Sequence, residues 1–408
     1  MNTTKRRHGL HVGVIFSMFL VAGASAQNLS TKSIAAQGKG SAQAPRFVVD
    51  PLWPKPLPNH WVLGSVTGVT VDAQDHIWIT HRGADSMANM EKGAILSPPT
   101  GCCTPAPPVL EFDTAGNLIG HWGGPGEGFD WPQSPGGIAV DNKGNVWITG
   151  AGQPEAAAAR PAAAPAANAR PAAPKPQDAQ VLKFSKSGQF ILQIGHAGKV
   201  EGSDSKSGFN RPAAVTVDPA TNELYIADGF GNRRIVVFDA EGGSYKRHWG
   251  AYGEKPDDGN LAAYDPSATP VRQFRTVSCA AISKDGLVYV CDRQNDRIQV
   301  FQKDGKFVKE AFVSKTTRGD GSVWDLAFSS DPKQHFLFVA DGHDKKVFVL
   351  RRDTLEAVTS FGDGGRMPGQ FYGVGSIAVD SKGNVYTGET YEGKRVQKFL
   401  FKGVGTSR

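Results

Sequence analysis

The sequence predicts an all-β chain folded as a six-bladed β-propeller with four-stranded antiparallel blades, and three observations predict it. First, one unit recurs six times, an apolar strand ending near Asp, a turn, and an aromatic-apolar strand. The copies are VTGVTVDAQDHIWITHR, PGGIAVDNKGNVWITGA, AAVTVDPATNELYIADGF, SCAAISKDGLVYVCDRQ, WDLAFSSDPKQHFLFVADGH and GSIAVDSKGNVYTGET. Second, each copy is followed by a third apolar run (VLEFD, VLKFS, RIVVFD, RIQVF, KVFVL, RVQKF), and most by a fourth ending in Gly (GHWG, LQIG, RHWG, TSFG). Third, every copy keeps the same internal order with its turn at the same place, which a two-sheet sandwich does not explain. Four short strands in one order, repeated around a ring, make a propeller.

The elements follow in order. Residues 1–26 read as a secretory signal: Lys5, Arg6 and Arg7, an apolar run from Val12 to Val21, and Ala24-Ser25-Ala26 as the cleavage site. The run is too short to span a bilayer, so the mature chain is expected to be exported, to periplasm or medium, with no membrane span. Residues 27–46, polar and small, read as a disordered leader, and 47–408 as the propeller. The chain ends after the third strand of the sixth unit, so an N-terminal strand must complete that blade; HWVLG, His60 to Gly64, has the fourth-strand pattern and is expected to close the ring. Two excursions leave the rhythm between second and third strands. In blade one, 83–108 carries SPPTGCCTPAPP and is expected near the channel mouth. In blade two, 153–178 is Ala/Pro low complexity and reads as a disordered loop, with contact to a protein partner as the functional alternative.

Charge excludes one class of partner. The formal +6 owes half its value to the three cations of the signal, and the remaining Lys and Arg are interspersed with Asp and Glu. No basic run suited to nucleic acid remains. Cys279 and Cys291 fall opposite each other once the hairpin at Lys284-Asp285-Gly286 is folded, as a cross-strand bridge or two packed thiols; Cys102 and Cys103 can join as neighbours or pair outward.

Because the units superpose, equivalent positions form rings around the central channel. After the second strand the ring reads His81, Gly150, Asp228, Asp292, Asp341 and Glu389, carboxylates better suited to accept backbone N–H groups than to hold a metal. The next ring reads Arg82, Ala151, Gly229, Arg293, Gly342 and Thr390. Its two arginines stand in opposite blades, where paired guanidinium forks suit a carboxylate or phosphate, unless each simply pairs with a neighbouring acid such as Asp292. At the start of the first strand the ring reads Thr67, Gly136, Ala213, Ser278, Trp324 and Gly375, with no usual metal ligand.

The segments DGFGNRRIVVF, CDRQNDRIQVF, THRG and RPAAVTVDPATNELYIADG resemble peptidyl-α-hydroxyglycine α-amidating lyase, an NHL-repeat propeller that uses zinc to release an amidated peptide and glyoxylate. The resemblance runs from about Gly68 to Phe399 and implies a six-bladed ring of lyase type. It places the family's active-site arginines on Arg82 and Arg293 and its catalytic tyrosine on Phe230. The zinc histidines fall on Gly136, Ser278 and Gly375, the calcium carboxylate on Ser376, and a disulfide pair on Asn210 and Gly231, so neither metal site nor that bridge is matched. The expected function is therefore binding of an anionic small molecule or peptide carboxylate at the mouth, with Arg82 and Arg293 as a clamp, Phe230 as an apolar wall, and His81, Asp292 and His343 beside them. A lyase with a rebuilt metal site and a protein-interaction platform are the rival classes; no cofactor is assigned.

Overall fold

The computed structural model describes residues 43–152 and 176–406; the signal segment and residues 153–175 of the Ala/Pro loop lie outside them. Six antiparallel four-stranded sheets are arranged in a ring. Blade one comprises Val66–Val71, Ile77–His81, Val109–Phe112 and Leu118–Trp122, and blade two Pro135–Val140, Val146–Gly150, Gln180–Phe184 and Phe190–Gly195. Blade three comprises Ala214–Asp218, Glu223–Asp228, Arg234–Asp239 and Tyr245–Trp249, and blade four Val277–Ile282, Val288–Asp292, Arg297–Phe301 and Phe307–Phe312. Blade five comprises Asp325–Phe328, Phe336–Asp341, Lys346–Arg351 and Ala357–Phe361. The first strand of every blade packs against the first strand of the next, and that of blade six against that of blade one.

The hairpin between first and second strands explains the recurring Asp. Asp141 accepts the N–H groups of Lys143 and Asn145 at 2.9 and 2.8 Å, and also the Trp147 indole N–H at 3.1 Å. Asp72 does the same for Gln74, His76 and Trp78, and Asp380 for Lys382, Asn384 and the Tyr386 hydroxyl. One side chain thus fixes the turn and anchors the buried aromatic six residues on. The turn needs a left-handed residue: Gly144, Gly286 and Gly383 supply it, and Asp75, Asn222 and Gln334 take it in the other blades, with φ of 62°, 52° and 51°. Cores form between neighbouring blades, as where Trp147 and Val181 meet Phe209, Leu224 and Ile226.

Blade six corrects one expectation. Its strands Val374–Val379, Val385–Glu389 and Val396–Thr406 are completed by Gln43–Asp50, in antiparallel register from Gln43 opposite Thr406 to Asp50 opposite Lys398. His60–Gly64 does not close the ring; Trp61–Val62 pairs in parallel with Thr104–Pro105 of the blade-one excursion. The eight-residue strand wins because it runs along most of its eleven-residue partner, where Trp61–Val62 is only two residues long, and sets Phe47 against Phe338, Phe361 and Phe401. Residues 43–46 of the expected leader are therefore strand.

The blade-one excursion forms three short 3₁₀ turns, Gly83–Ser86, Asn89–Glu91 and Gly93–Ile95, and ties to blade six through Glu91 and Lys394 at 2.5 Å. Cys279 and Cys291 are bridged across paired strands with Cα atoms 5.0 Å apart, and Cys102 is bridged to Cys103. Among the described residues, no helix is long and apolar enough to cross a membrane.

Candidate functional site

At the mouth of the ring lies a cavity of about 400 Å³. All six residues that begin the first strands in the aligned units, Thr67, Gly136, Ala213, Ser278, Trp324 and Gly375, lie on its wall, so the rings read from the repeat are rings in space. Arg82, Arg293 and Phe230 line the same cavity. So do Arg211, Asp320 and Tyr391, which lie in the loops between strands and outside the aligned columns.

Arg82 follows directly on the second strand of blade one, its N–H held by the Ser65 carbonyl at 3.0 Å. Its Nε is buried and has no hydrogen-bond partner among the described residues. Burial lowers its pKa, opposed by the nearby Tyr391 and Asp178. Asp178 does not complete the guanidinium's contacts: its oxygens accept the N–H groups of Gln133, Ser134 and Gly152 at 3.0, 3.0 and 2.7 Å.

Arg293 opens the 3₁₀ turn Arg293–Asn295 after the second strand of blade four, with its own N–H on the Thr276 carbonyl at 2.8 Å. It is held on three sides. The guanidinium carbon lies 3.4 Å from the centre of the Trp324 ring, Nε donates to the Asp320 carbonyl at 2.6 Å, and a terminal nitrogen lies 3.4 Å from the Asp320 carboxylate. The Tyr391 hydroxyl donates to the same carboxylate at 3.1 Å, and burial raises its pKa while Arg293 pulls it down.

Arg211 enters from the loop before blade three. Its φ of 55° is left-handed, its N–H meets the Asp178 carbonyl at 3.1 Å, and its guanidinium donates to the Phe230 carbonyl. Its Nε too is buried without a partner among the described residues, and burial lowers its pKa. The wall's own carboxyl, Asp325, accepts the N–H groups of Leu326 and Ile377, and burial pushes its pKa up to about 7.

The other residues singled out from sequence stand outside this cavity. The His81 ring holds the fold: Nδ1 accepts the N–H groups of Gly64 and Gly83, Nε2 donates to the Pro107 carbonyl, and burial lowers its pKa to about 4. Asp292 pairs with Arg297 at 2.8 Å and Asn295 at 2.7 Å, so it is not the partner of Arg293. His343 is exposed and absent from the lining. The carboxylate ring serves as caps and buried pairs: Asp228 meets Arg234 at 2.9 Å, Glu389 meets Arg395, and Asp341 accepts the N–H groups of His343 and Asp344.

The residues at the resembled zinc positions do not fit that ion. A Cβ on Gly136 would lie 2.4 Å from the Thr149 hydroxyl and 2.8 Å from the Ala151 methyl, so no histidine enters there without displacing neighbours. Ser278 donates its hydroxyl to the Val323 carbonyl, and Gly375 brings no donor. Among the described residues one group of three ligating side chains comes together, Asp72, His76 and Glu111, and the Lys186 ammonium stands 2.8 Å from Glu111 and already balances it.

Residues 209–238, which reach from Phe209 through the second strand of blade three and nearly to the end of its third, match the NHL repeat family model. The third blade is an NHL repeat. Its Asp228–Arg234 pair recurs in the propeller as Asp292–Arg297 and Glu389–Arg395. The chain is similar to peptidyl-glycine alpha-amidating monooxygenase B of Xenopus laevis, 32% identical over 179 residues that cover 43% of this chain and 16% of that protein. It therefore spans under a fifth of that relative's length. It is also similar to a Caenorhabditis elegans protein described as a probable peptidyl-alpha-hydroxyglycine alpha-amidating lyase, 22% identical over 304 residues, covering 70% of this chain and 69% of that one. Among solved structures, a streptogramin B lyase aligns with TM-score 0.49 and 10% identity over 87% of this chain and 98% of its own.

Proposed function

We propose that this chain is an exported propeller that binds an anionic small molecule or a peptide carboxylate at the channel mouth. The observation that carries the reading is Arg82: a guanidinium nitrogen buried on a cavity wall with no partner among the described residues. A buried donor left unpaired costs about 1–3 kcal/mol, and an incoming carboxylate removes that cost. Arg293, braced by Trp324 and Asp320, offers the second fork, and Phe230 an apolar side wall. Export is supported by the cationic, apolar and small-residue succession of the first 26 residues.

Calorimetric titration of a blocked peptide bearing a free C-terminal carboxylate, against the same peptide as its amide, tests this. Binding of the acid alone is expected, with loss in the Arg82→Ala/Arg293→Ala variant. Equal binding of acid and amide, or unchanged affinity in the double variant, overturns the reading.

One observation favours a lyase reading as the second. Tyr391 sets a titratable hydroxyl beside Arg293 and Asp320 on the cavity wall. Such a group can move a proton at the mouth, while the zinc chemistry of the similar enzymes finds no ligand set at Gly136, Ser278 and Gly375. Glyoxylate release from an α-hydroxyglycine peptide, abolished in Tyr391→Phe, would establish this second reading; no release from wild type removes it.

A further inference from the structure

Three guanidinium groups line the cavity, and they are not equivalent. Arg293 has its neutralising carboxylate and its aromatic platform. Arg82 and Arg211 each keep a buried Nε without a partner among the described residues. We propose that the ligand carries two acidic groups separated by a spacer, one seated on Arg82 and the other on Arg211. This rests on the anion-binding reading above and adds the class of ligand and the residue that selects it.

Two open guanidinium nitrogens on the wall leave a place for a second anion. Each carboxylate near the arginines is engaged elsewhere: Asp320 with Arg293 and Tyr391, Asp178 with three backbone N–H groups, and Asp325 with those of Leu326 and Ile377. Buried cations are stable when paired and hydrogen-bonded, so two cations with open nitrogens call for two incoming acceptors.

The two sites also stand apart. Arg82 belongs to blade one and Arg211 to the entry of blade three, with blade two between them. There the wall is made by Gly136, Gly137 and Ala151, and a Cβ on Gly137 would meet the Ala214 backbone at 2.7 Å. Blade two thus offers a lining of short side chains over which a spacer can lie, with Phe230 as an apolar flank. Anchored on different blades of one cavity, the two arginines suit a chain with an acid at each end.

Arg211 is held in place for this role. A non-glycine residue adopts φ of 55° only at a cost, and the side chain that follows from this left-handed backbone lines the cavity. The Phe230 carbonyl takes one guanidinium nitrogen and fixes the fork, leaving Nε for the ligand.

The experiment is a titration of the purified chain with aliphatic dicarboxylates from succinate to suberate, with monocarboxylates of matching length and with inorganic phosphate. At least one diacid is expected to bind about tenfold or more tighter than its monoacid. Arg211→Gln is expected to weaken the diacid about tenfold and the monoacid much less, Arg211→Lys to fall between, and Arg82→Gln to weaken both. The wild-type comparison alone decides the point if a variant fails to fold. Diacids no better than monoacids, phosphate as tight as the best diacid, or equal losses for both acid classes in Arg211→Gln would overturn the two-anion proposal while leaving the carboxylate clamp standing. If no acid binds at all, the clamp falls with it.

Discussion

The two ends of each blade treat their polar atoms in opposite ways. At the hairpin end Asp72, Asp141 and Asp380 each satisfy two turn N–H groups and one buried aromatic donor. At the mouth the polar groups divide by distance from the axis. Away from it, Asp228–Arg234 and Asp292–Arg297 are fully buried pairs. On the cavity wall, Arg82 and Arg211 keep buried nitrogens without partners among the described residues. Completed contacts of this kind hold the fold, and the open ones on the wall are those that the proposed anion binding uses.

The largest expected effect comes from breaking a completed pair. Arg234→Ala leaves Asp228 buried without its ion partner and removes the donor to the Ser203, Ser205 and Gly208 carbonyls, so urea unfolding should show a loss of about 3–5 kcal/mol. Next is the hairpin end: Asp141→Ala orphans the Trp147 indole and two turn N–H groups and should cost about 2–3 kcal/mol in the same measurement.

A third effect depends on pH. Blades three and four neutralise their mouth carboxylate with Asn232 and Arg234, or Asn295 and Arg297, whereas blade five has Asp344 and Lys346 at those places. One oxygen of Asp341 consequently has no partner among the described residues, and burial, with Asp344 beside it, pushes its pKa up to about 7. Asp296 and Asp325 are likewise pushed up to about 7, chiefly by burial. The folded chain keeps these protons where the unfolded chain has released them, so stability falls as pH climbs from the ordinary aspartate range to about 7. His81, held down to about 4, acts in the other direction as pH drops below 6.5 and offsets one of the carboxyls. The net expectation is greater stability at pH 5 than at pH 8 in urea unfolding, with a smaller difference in Asp341→Asn.

The smallest effect sharpens the contrast most. Arg82→Gln removes a desolvated cation whose Nε has no partner among the described residues, so unfolding free energy should hold or rise by about 1 kcal/mol while carboxylate binding weakens. A loss as large as that of Arg234→Ala would place Arg82 with the fold.

Much of the architecture was legible because the repeat converts sequence position into spatial position. The Asp-to-aromatic spacing identifies each hairpin, and the columns place Thr67, Gly136, Ala213, Ser278, Trp324 and Gly375 on one wall. The closing strand was not legible: Gln43–Asp50 pairs with a segment some 350 residues away, and its partner's length appears only when the sheet is assembled. His81 and Asp292 each stand one residue before a cavity-lining arginine, yet their side chains face buried partners. Arg211 and Tyr391 lie within two residues of the columns but were missed, because φ values of 55° and 52° turn them where an ordinary strand or turn would not.

By itself the sequence determined the number of blades, the order of strands within them, the turn residues, and the missing imidazoles at Gly136, Ser278 and Gly375. These follow from local hydrogen bonding and a period, both carried by short windows of chain. Tertiary structure alone decided which strand closes the ring and which arginines retain an open nitrogen. Both depend on pairing between distant segments, and whether a polar atom is satisfied is settled only when every neighbour is in place.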